Sequence, residues 1–186
     1  MATPDCDVTF VIRAFDDEDC VGHCLRRIAD YVRAHHWRAE ILVADEGSGD
    51  NTVAVAVMLR RQIREIAIVH AAPGNGWHDG CQRARGHVVI CADASNDAPL
   101  AALGYALGRL REGRDVVALG GRYLVFRRTL AWRALPALIG RRDFVTLERR
   151  FVRRARALGL GCAVTKRPSR PVWRRLFWAF RPQTTA

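Results

Sequence analysis

An apolar run that ends in an acidic, glycine-containing turn constrains the fold more than any other stretch. Residues 40–44 are Glu-Ile-Leu-Val-Ala, typical of a buried strand, and residues 45–52 are Asp-Glu-Gly-Ser-Gly-Asp-Asn-Thr. Apolar residues then recur at helical spacing from 51 to 63. A strand that passes through such a turn into a helix is where α/β proteins place ligands. The sequence therefore predicts an α/β fold with a ligand crevice here, and we expect Asp45 and Glu46 to face outward.

Similar strand and helix patterns recur along the chain. Further strands are predicted at 8–12, 66–70, 87–92, 115–119, 123–126 and 162–165, and further helices at 21–35, 99–111 and 129–138. A length of 186 residues suits one α/β domain and is short for two. We predict one domain over residues 1–168, followed by a basic, aromatic tail over residues 169–186.

Charge is divided unevenly between the two halves of the chain. Residues 1–99 carry a net charge of −5 and residues 100–186 a net charge of +16. An acidic half suits hydroxyl groups and divalent cations, and a basic half suits phosphate. No apolar run reaches the roughly 20 residues that a bilayer span needs, and the first residues do not resemble a signal peptide. We therefore expect a cytoplasmic protein.

The six cysteines include no C-x-x-C pair, so disulfides are not expected in the cytosol. Cys20, His23 and Cys24 are closely spaced potential metal ligands. Positions 23 and 24 do not share a helix face, however, and no second ligand pair follows, so a structural zinc site is not predicted.

The turn at residues 45–52 resembles the Asp-Asp-Gly-Ser-x-Asp-x-Thr signature of family 2 glycosyltransferases of the GT-A fold, with Glu46 in place of the second Asp. Other stretches resemble the family's remaining motifs in the family's order, so that the resemblance covers residues 8–165. They are the Arg-Ala-Phe-Asp-Asp-Glu loop at 13–18, the Gly80, Ala84 and Gly86 pattern, Asp93-Ala94-Ser95 and the segment 147–159.

The resemblance implies a Rossmann-like α/β/α sandwich with a mostly parallel central sheet. It implies an enzyme that moves a sugar from a nucleotide-diphosphate donor to an acceptor hydroxyl with inversion, in polysaccharide or glycolipid assembly. The nucleotide site that it implies comprises Ala14, Phe15, Asp16, Asp45, Gly47, Ser48, Asn75 and Asp93.

The family's Asp-x-Asp motif holds a divalent metal, Mn²⁺ or Mg²⁺, and is Asp93-Ala94-Ser95 in this chain. Ser95 is a neutral ligand where a hard cation prefers a carboxylate, and Asp97 is the nearest carboxylate that could supply it. The resemblance thus implies a metal site at Asp93, Ser95 and Asp97. Two alternatives remain: arginines neutralise the donor's diphosphate without metal, or Asp97 caps the following helix.

Glu148 stands where the family has its general base, and Leu147 stands where the family has the preceding Glu. A base there would accept the proton of the acceptor hydroxyl. The alternative for this residue is an ion pair with Arg149 or Arg153 on a solvated helix. Ser95, Leu147 and the lack of a longer acceptor-binding stretch also fit a second function, a catalytically inactive GT-A domain that binds a nucleotide sugar or a partner transferase.

The tail places Trp173, Leu176, Phe177 and Phe180 on one side of a predicted helix that also carries arginines. This composition fits an anchor on the inner face of a membrane, and it equally fits docking on the domain itself or on a partner protein. Nucleic acid is not an expected partner, because the basic half would explain binding but the acidic crevice would not.

Overall fold

The computed structural model describes residues 6–140 and 143–165 of the chain. The strands are β1 (Val8–Ala14), β2 (Ala39–Asp45), β3 (Ile66–His70), β4 (Val88–Asp93), β5 (Val116–Leu119), β6 (Leu124–Arg127) and β7 (Cys162–Thr165). The α-helices are α1 (Glu18–Ala34), α2 (Thr52–Arg60), α3 (Gly76–Arg83), α4 (Ala102–Arg111), α5 (Arg128–Ala131) and α6 (Phe144–Ala157), and a 3₁₀ helix spans Trp132–Leu138.

The strands form one sheet in the order β3-β2-β1-β4-β6-β5-β7. All neighbouring pairs are parallel except those that β6 makes with β4 and β5, so β6 alone runs against the other described strands. In the register of the central strands, Arg13 lies opposite Asp93 and Ala14 opposite Asp45. The residues that end β1, β2 and β4 therefore lie together at one edge of the sheet.

The sheet is covered on both faces, which makes the molecule an α/β/α sandwich. One face packs against α1, α2 and α4, and the other against α3, the 3₁₀ helix and α6. Neighbouring residues of one strand alternate between the two cores, as Phe10 and Val11 do. Burial on both faces explains why the central strands are almost continuously apolar in sequence.

Helix α3 lies close against the sheet because it has glycine at the contact. A Cβ on Gly80 would lie 2.4 Å from Cγ1 of Val11, and a Cβ on Gly86, just after the helix, would lie 2.5 Å from the backbone nitrogen of Thr9. These are the glycines of the predicted Gly-x-x-x-Ala-x-Gly pattern. Their role here is to let the helix and the chain after it approach β1, which brings the amino end of α3 to the crevice.

The predicted elements are present, most of them with shifted ends. The predicted helix at 129–138 is divided into α5 and a 3₁₀ helix that contains Pro136. Proline lacks the N–H that an α-helix interior needs, which explains the tighter, shorter segment. Among the described residues, no helix combines the length and apolar character needed to cross a membrane. The predicted tail lies outside the described residues.

Candidate active site

We define the crevice as the carboxyl ends of β1, β2 and β4 with the loops that follow them. Its rim consists of the loops after β1 and β2, which are interlocked by hydrogen bonds. Asp16 donates its backbone N–H to Ser48 Oγ at 3.1 Å and accepts from the N–H of Gly49 at 2.8 Å. Glu18 accepts from the N–H of Asn51 at 2.9 Å. Asp16 has a φ of +52°, uncommon for a residue with a side chain, and these bonds hold it there. The predicted base-contacting residue is thus exposed on a fixed rim.

Asp45 is buried, although the sequence suggested that it faces outward. Its side chain is 3% exposed and accepts hydrogen bonds from the backbone of Gly47 and from the backbone and hydroxyl of Ser48. Gly47 has a φ of +84°, which lets the chain fold back over the carboxylate. Asp45, Gly47 and Ser48 therefore build the turn itself, and their predicted contact with nucleotide remains a prediction.

Glu46 is also buried, at 1% exposed, because it faces inward to an arginine. Arg13 Nε lies 3.3 Å from Glu46 Oε1, and Arg13 Nη1 lies 3.2 Å from Asp93 Oδ1. The guanidinium carbon lies 5.3 Å from the centre of the Trp77 ring, within range of a cation–π contact. One arginine thus joins the ends of β2 and β4. In the sequence it lies in the loop at 13–18, and no role was predicted for it.

A glycine is required beside this ion-pair cluster. Gly76 donates its N–H to Glu46 Oε1 at 2.8 Å, and a Cβ on Gly76 would lie 2.9 Å from that same oxygen. The other oxygen, Oε2 of Glu46, is buried and has no hydrogen-bond partner among the described residues. Burial raises the pKa of Asp93 to about 6, and Arg13 opposes this rise. The cluster holds two carboxylates against one guanidinium, so the crevice keeps its acidic character.

The two predicted metal-binding carboxylates are each paired with an arginine. Ser95 and Asp97 are exposed, and Asp97 Oδ1 lies 2.8 Å from Nη1 of Arg122. Within 6–140 and 143–165, no group of three His, Cys, Asp or Glu residues is placed to hold a metal ion. With Asp93 paired to Arg13 and Asp97 paired to Arg122, this arrangement does not fit a divalent cation. Asp97 does not cap α4 either, because that helix begins at Ala102.

The remaining predicted nucleotide residues differ in accessibility. Ala14 is fully buried and Phe15 is half-buried. Asn75 accepts the N–H of Gly140 at 3.0 Å, which ties the start of α3 to the loop after the 3₁₀ helix. Trp77 is fully buried and donates its indole N–H to the carbonyl of Ala92 at 3.1 Å, so it is a core residue.

Glu148 lies at the same edge of the sheet as Asp93. It accepts the N–H of Gly121 at 2.7 Å, in the turn between β5 and β6. β5 has the same direction as β4, so its carboxyl end belongs to the crevice side. The next residue, Arg122, pairs with Asp97 and accepts through its carbonyl from the Asn96 side chain at 2.7 Å. The turn therefore bridges the loop after β4 and α6.

Glu148 has the properties of a general base. It is 5% exposed, and burial raises its pKa to about 7, opposed by the Gly121 N–H. A base is most effective when its pKa is near the working pH. The alternative, an ion pair with Arg149 or Arg153, is absent from the part of the chain that the structure describes.

Comparisons with known proteins identify the family and the fold. The family model for glycosyl transferase family 2 matches residues 9–179. An uncharacterized glycosyltransferase of Synechocystis is 26% identical over 115 residues, which cover 60% of this chain and 36% of that protein. A dolichyl-phosphate beta-glucosyltransferase of Trichomonas vaginalis is 22% identical over 134 residues, which cover 65% of this chain and 41% of that protein.

Among solved structures, a mannosyltransferase from Pyrobaculum calidifontis in complex with GDP-mannose and Mn²⁺ is similar, with a TM-score of 0.64 and 15% identity. The match covers 92% of this chain and 61% of that one. The predicted GT-A fold is confirmed. The chain spans less than two thirds of the length of these three relatives.

Proposed function

This chain belongs to glycosyl transferase family 2, and from that premise we propose that it transfers a sugar from a nucleotide-diphosphate donor to an acceptor hydroxyl. The observation that carries the proposal is the placement of Glu148. A buried carboxylate with a pKa near 7 lies at the same sheet edge as Asp93 and the interlocked rim. A base that acts on an acceptor at the crevice needs this position.

Transfer proceeds with inversion at the anomeric carbon. Glu148 accepts the proton of the acceptor hydroxyl as that oxygen forms its bond to the anomeric carbon. The bond between this carbon and the diphosphate oxygen breaks, and the nucleoside diphosphate leaves with the electron pair. The hydrogen bond from Gly121 orients the carboxylate through Oε2. The other oxygen, Oε1, is left to take the proton.

The donor lies across the crevice. Its base contacts the rim at Asp16 and Phe15, and its ribose contacts Asp93. GDP-mannose in the Pyrobaculum mannosyltransferase supports a donor of this class. That complex also contains Mn²⁺, but the predicted ligands Asp93, Ser95 and Asp97 do not fit a metal as they are arranged here, so we assign no step to one. Arg122, whose side chain is partly exposed, is a cation at this edge that can meet the diphosphate.

The acceptor belongs to polysaccharide or glycolipid assembly on the cytoplasmic face of a membrane. The name of the Trichomonas relative, a dolichyl-phosphate glucosyltransferase, supports a lipid-linked acceptor.

A second function has its own support: a GT-A domain that binds a nucleotide sugar, or a partner transferase, without transfer. The pairing of both predicted metal-binding carboxylates with arginines favours it.

Calorimetric titration with UDP, GDP and dTDP and their sugars tests the proposal. Each titration is run with Mn²⁺, with Mg²⁺ and with EDTA. We expect one nucleotide family to bind, and Asp93→Asn to weaken that binding. Asp30→Asn, an exposed carboxylate on α1, serves as the matched control. Binding followed by transfer to an acceptor supports the enzyme, and binding without transfer supports an inactive domain that holds a nucleotide sugar. No binding under any condition contradicts the enzyme and leaves a domain that serves a partner transferase.

A further inference from the structure

A groove lined by arginines runs between the 3₁₀ helix and α6, away from the crevice. Its volume is about 500 Å³. Three arginines and three apolar residues line it, and the lining contains no carboxylate. The residues of this arginine groove are Pro136, Ala137, Arg150, Arg153, Arg154 and Ala157.

The charges of the groove are not neutralised by the protein. None of its three arginines has a carboxylate within 4.0 Å in the described ranges 6–140 and 143–165. Arg150 makes one long contact, from Nη1 to the carbonyl of Ile139 at 3.5 Å. Like charges three or four residues apart destabilise a helix. A helix that retains them at a groove is suited to an anionic ligand.

The groove is separate from the proposed reaction site. An α-helix turns by about 100° per residue, so Arg150 and Ala157 lie about 200° and about 180° around α6 from Glu148. Glu148 faces the sheet and the turn at Gly121, and the groove faces the 3₁₀ helix. A ligand in the groove therefore leaves the crevice open, and the inference does not depend on transferase activity.

We propose that the arginine groove binds the phosphate headgroups of an anionic lipid bilayer. Guanidinium groups bind phosphate through paired hydrogen bonds. Trp132, on the same 3₁₀ helix, is 48% exposed, and Ile139, whose carbonyl meets Arg150, is 41% exposed. Exposed tryptophan and isoleucine beside arginine are typical of surfaces that lie at the membrane interface.

The chain's own tail is a poor occupant of the groove on grounds of charge. Residues 166–186 contain six basic and no acidic side chains, so this segment would add positive charge to the groove. A soluble phosphate shares the headgroup's chemistry, but it would make no use of the exposed apolar residues. The bilayer satisfies both the arginines and the two apolar side chains.

The test measures binding of the full chain to vesicles of phosphatidylcholine alone and of phosphatidylcholine with phosphatidylglycerol. The triple variant Arg150→Gln, Arg153→Gln and Arg154→Gln is compared with the matched variant Arg60→Gln, Arg61→Gln and Arg64→Gln. The matched variant loses the same charge from exposed sites at and after the end of α2, which packs on the other face of the sheet. We expect the groove variant to bind phosphatidylglycerol vesicles about 10- to 100-fold more weakly. The matched variant should lose much less affinity for these vesicles.

A second readout covers the case in which the triple variant does not fold. Brominated lipids quench tryptophan at the membrane interface, and Trp132→Phe should remove part of that quenching in an otherwise unchanged chain. Equal losses in the two arginine variants, or quenching unaffected by Trp132→Phe, would overturn the proposal. If glycerol phosphate binds at the groove and vesicles do not, the proposed bilayer ligand is wrong and a free phosphate is the ligand.

Discussion

The crevice and the arginine groove both contain arginine, but the arginines are paired with carboxylates in the crevice and unpaired with carboxylates in the described part of the groove. In the crevice, Arg13 lies between Glu46 and Asp93, and Arg122 pairs with Asp97. In the groove, Arg150, Arg153 and Arg154 have no carboxylate partner in the described part of the chain. A buried charge must be paired to be tolerated, whereas an exposed charge can be left for a ligand. The paired arginines therefore stabilise the structure of the crevice, whereas the unpaired arginines of the groove are available to a ligand.

The largest effect is expected where a single carboxylate performs the proposed chemistry. Glu148→Gln keeps the shape of the side chain and removes its basicity, so transfer should slow by about 10²–10⁴-fold while donor affinity stays unchanged. Steady-state transfer and calorimetry measure the two quantities. Glu112→Gln, an exposed carboxylate after α4, should leave both as they are. Full transfer by Glu148→Gln would remove this residue from the mechanism.

The crevice should depend on its paired arginine for stability. Arg13→Ala leaves Glu46 buried without its cation, so the free energy of unfolding should fall by about 3–5 kcal/mol. Arg33→Ala removes an arginine that pairs with Asp30 on the exposed surface of α1, and its effect should be small. Urea unfolding measures both. A similar loss in the two variants would show that burial of the Arg13 ion pairs does not increase their contribution to the free energy of unfolding.

The turn that holds Glu148 should tolerate no side chain. Gly121 has a φ of +75°, and a Cβ there would lie 2.7 Å from Cγ2 of Val145, so Gly121→Ala should cost about 2–4 kcal/mol of unfolding free energy. Gly113 has a φ of +88° with nothing within 4 Å of a Cβ, so Gly113→Ala isolates the backbone strain of about 1 kcal/mol. Thermal and urea unfolding should rank them in that order, and equal losses would mean that Val145 moves aside.

The smallest expected effect is a pH dependence. Glu148 has a pKa of about 7 in the folded chain, raised from an ordinary value of 4.5. The folded state therefore holds this proton more tightly, so the stabilising contribution is complete below about pH 4.5 and is lost as pH rises through about 7. Transfer needs the ionised carboxylate and should increase over the same range. A pH–rate profile with no rise near pH 7 would contradict the assignment.

Local patterns in the sequence were enough to predict the architecture. The strand at 66–70 and the last strand at 162–165 have the predicted ends, and the turn after residue 44 lies at the predicted crevice. These features depend on periodicity and on glycine positions within a few residues. Gly80 and Gly86 were identified from one short family motif, and the structure adds that both allow close approach to β1.

Ion pairing in the crevice could not be predicted in the same way. Arg13 and Asp93 are 80 residues apart, and they meet only because β1 pairs with β4. Asp97, in the loop after β4, pairs with Arg122, in the turn between β5 and β6. Asp45 and Glu46 were expected to face outward at the crevice. Asp45 is instead buried by its own turn, through Gly47 and Ser48, and Glu46 is buried against Arg13 of another strand. An arginine at the end of an apolar strand is the one local signal that could have indicated the cluster.

The most direct test of the central claim is a crossed measurement of donor affinity. A nucleotide sugar that binds the wild-type chain is titrated into Asp93→Asn and into the groove variant Arg150→Gln, Arg153→Gln and Arg154→Gln. We predict that Asp93→Asn weakens donor binding by at least about tenfold, as expected for one lost charged hydrogen bond, and that the groove variant binds like wild type. Wild-type affinity in Asp93→Asn, with a loss in the groove variant, would contradict the account and move the donor to the groove.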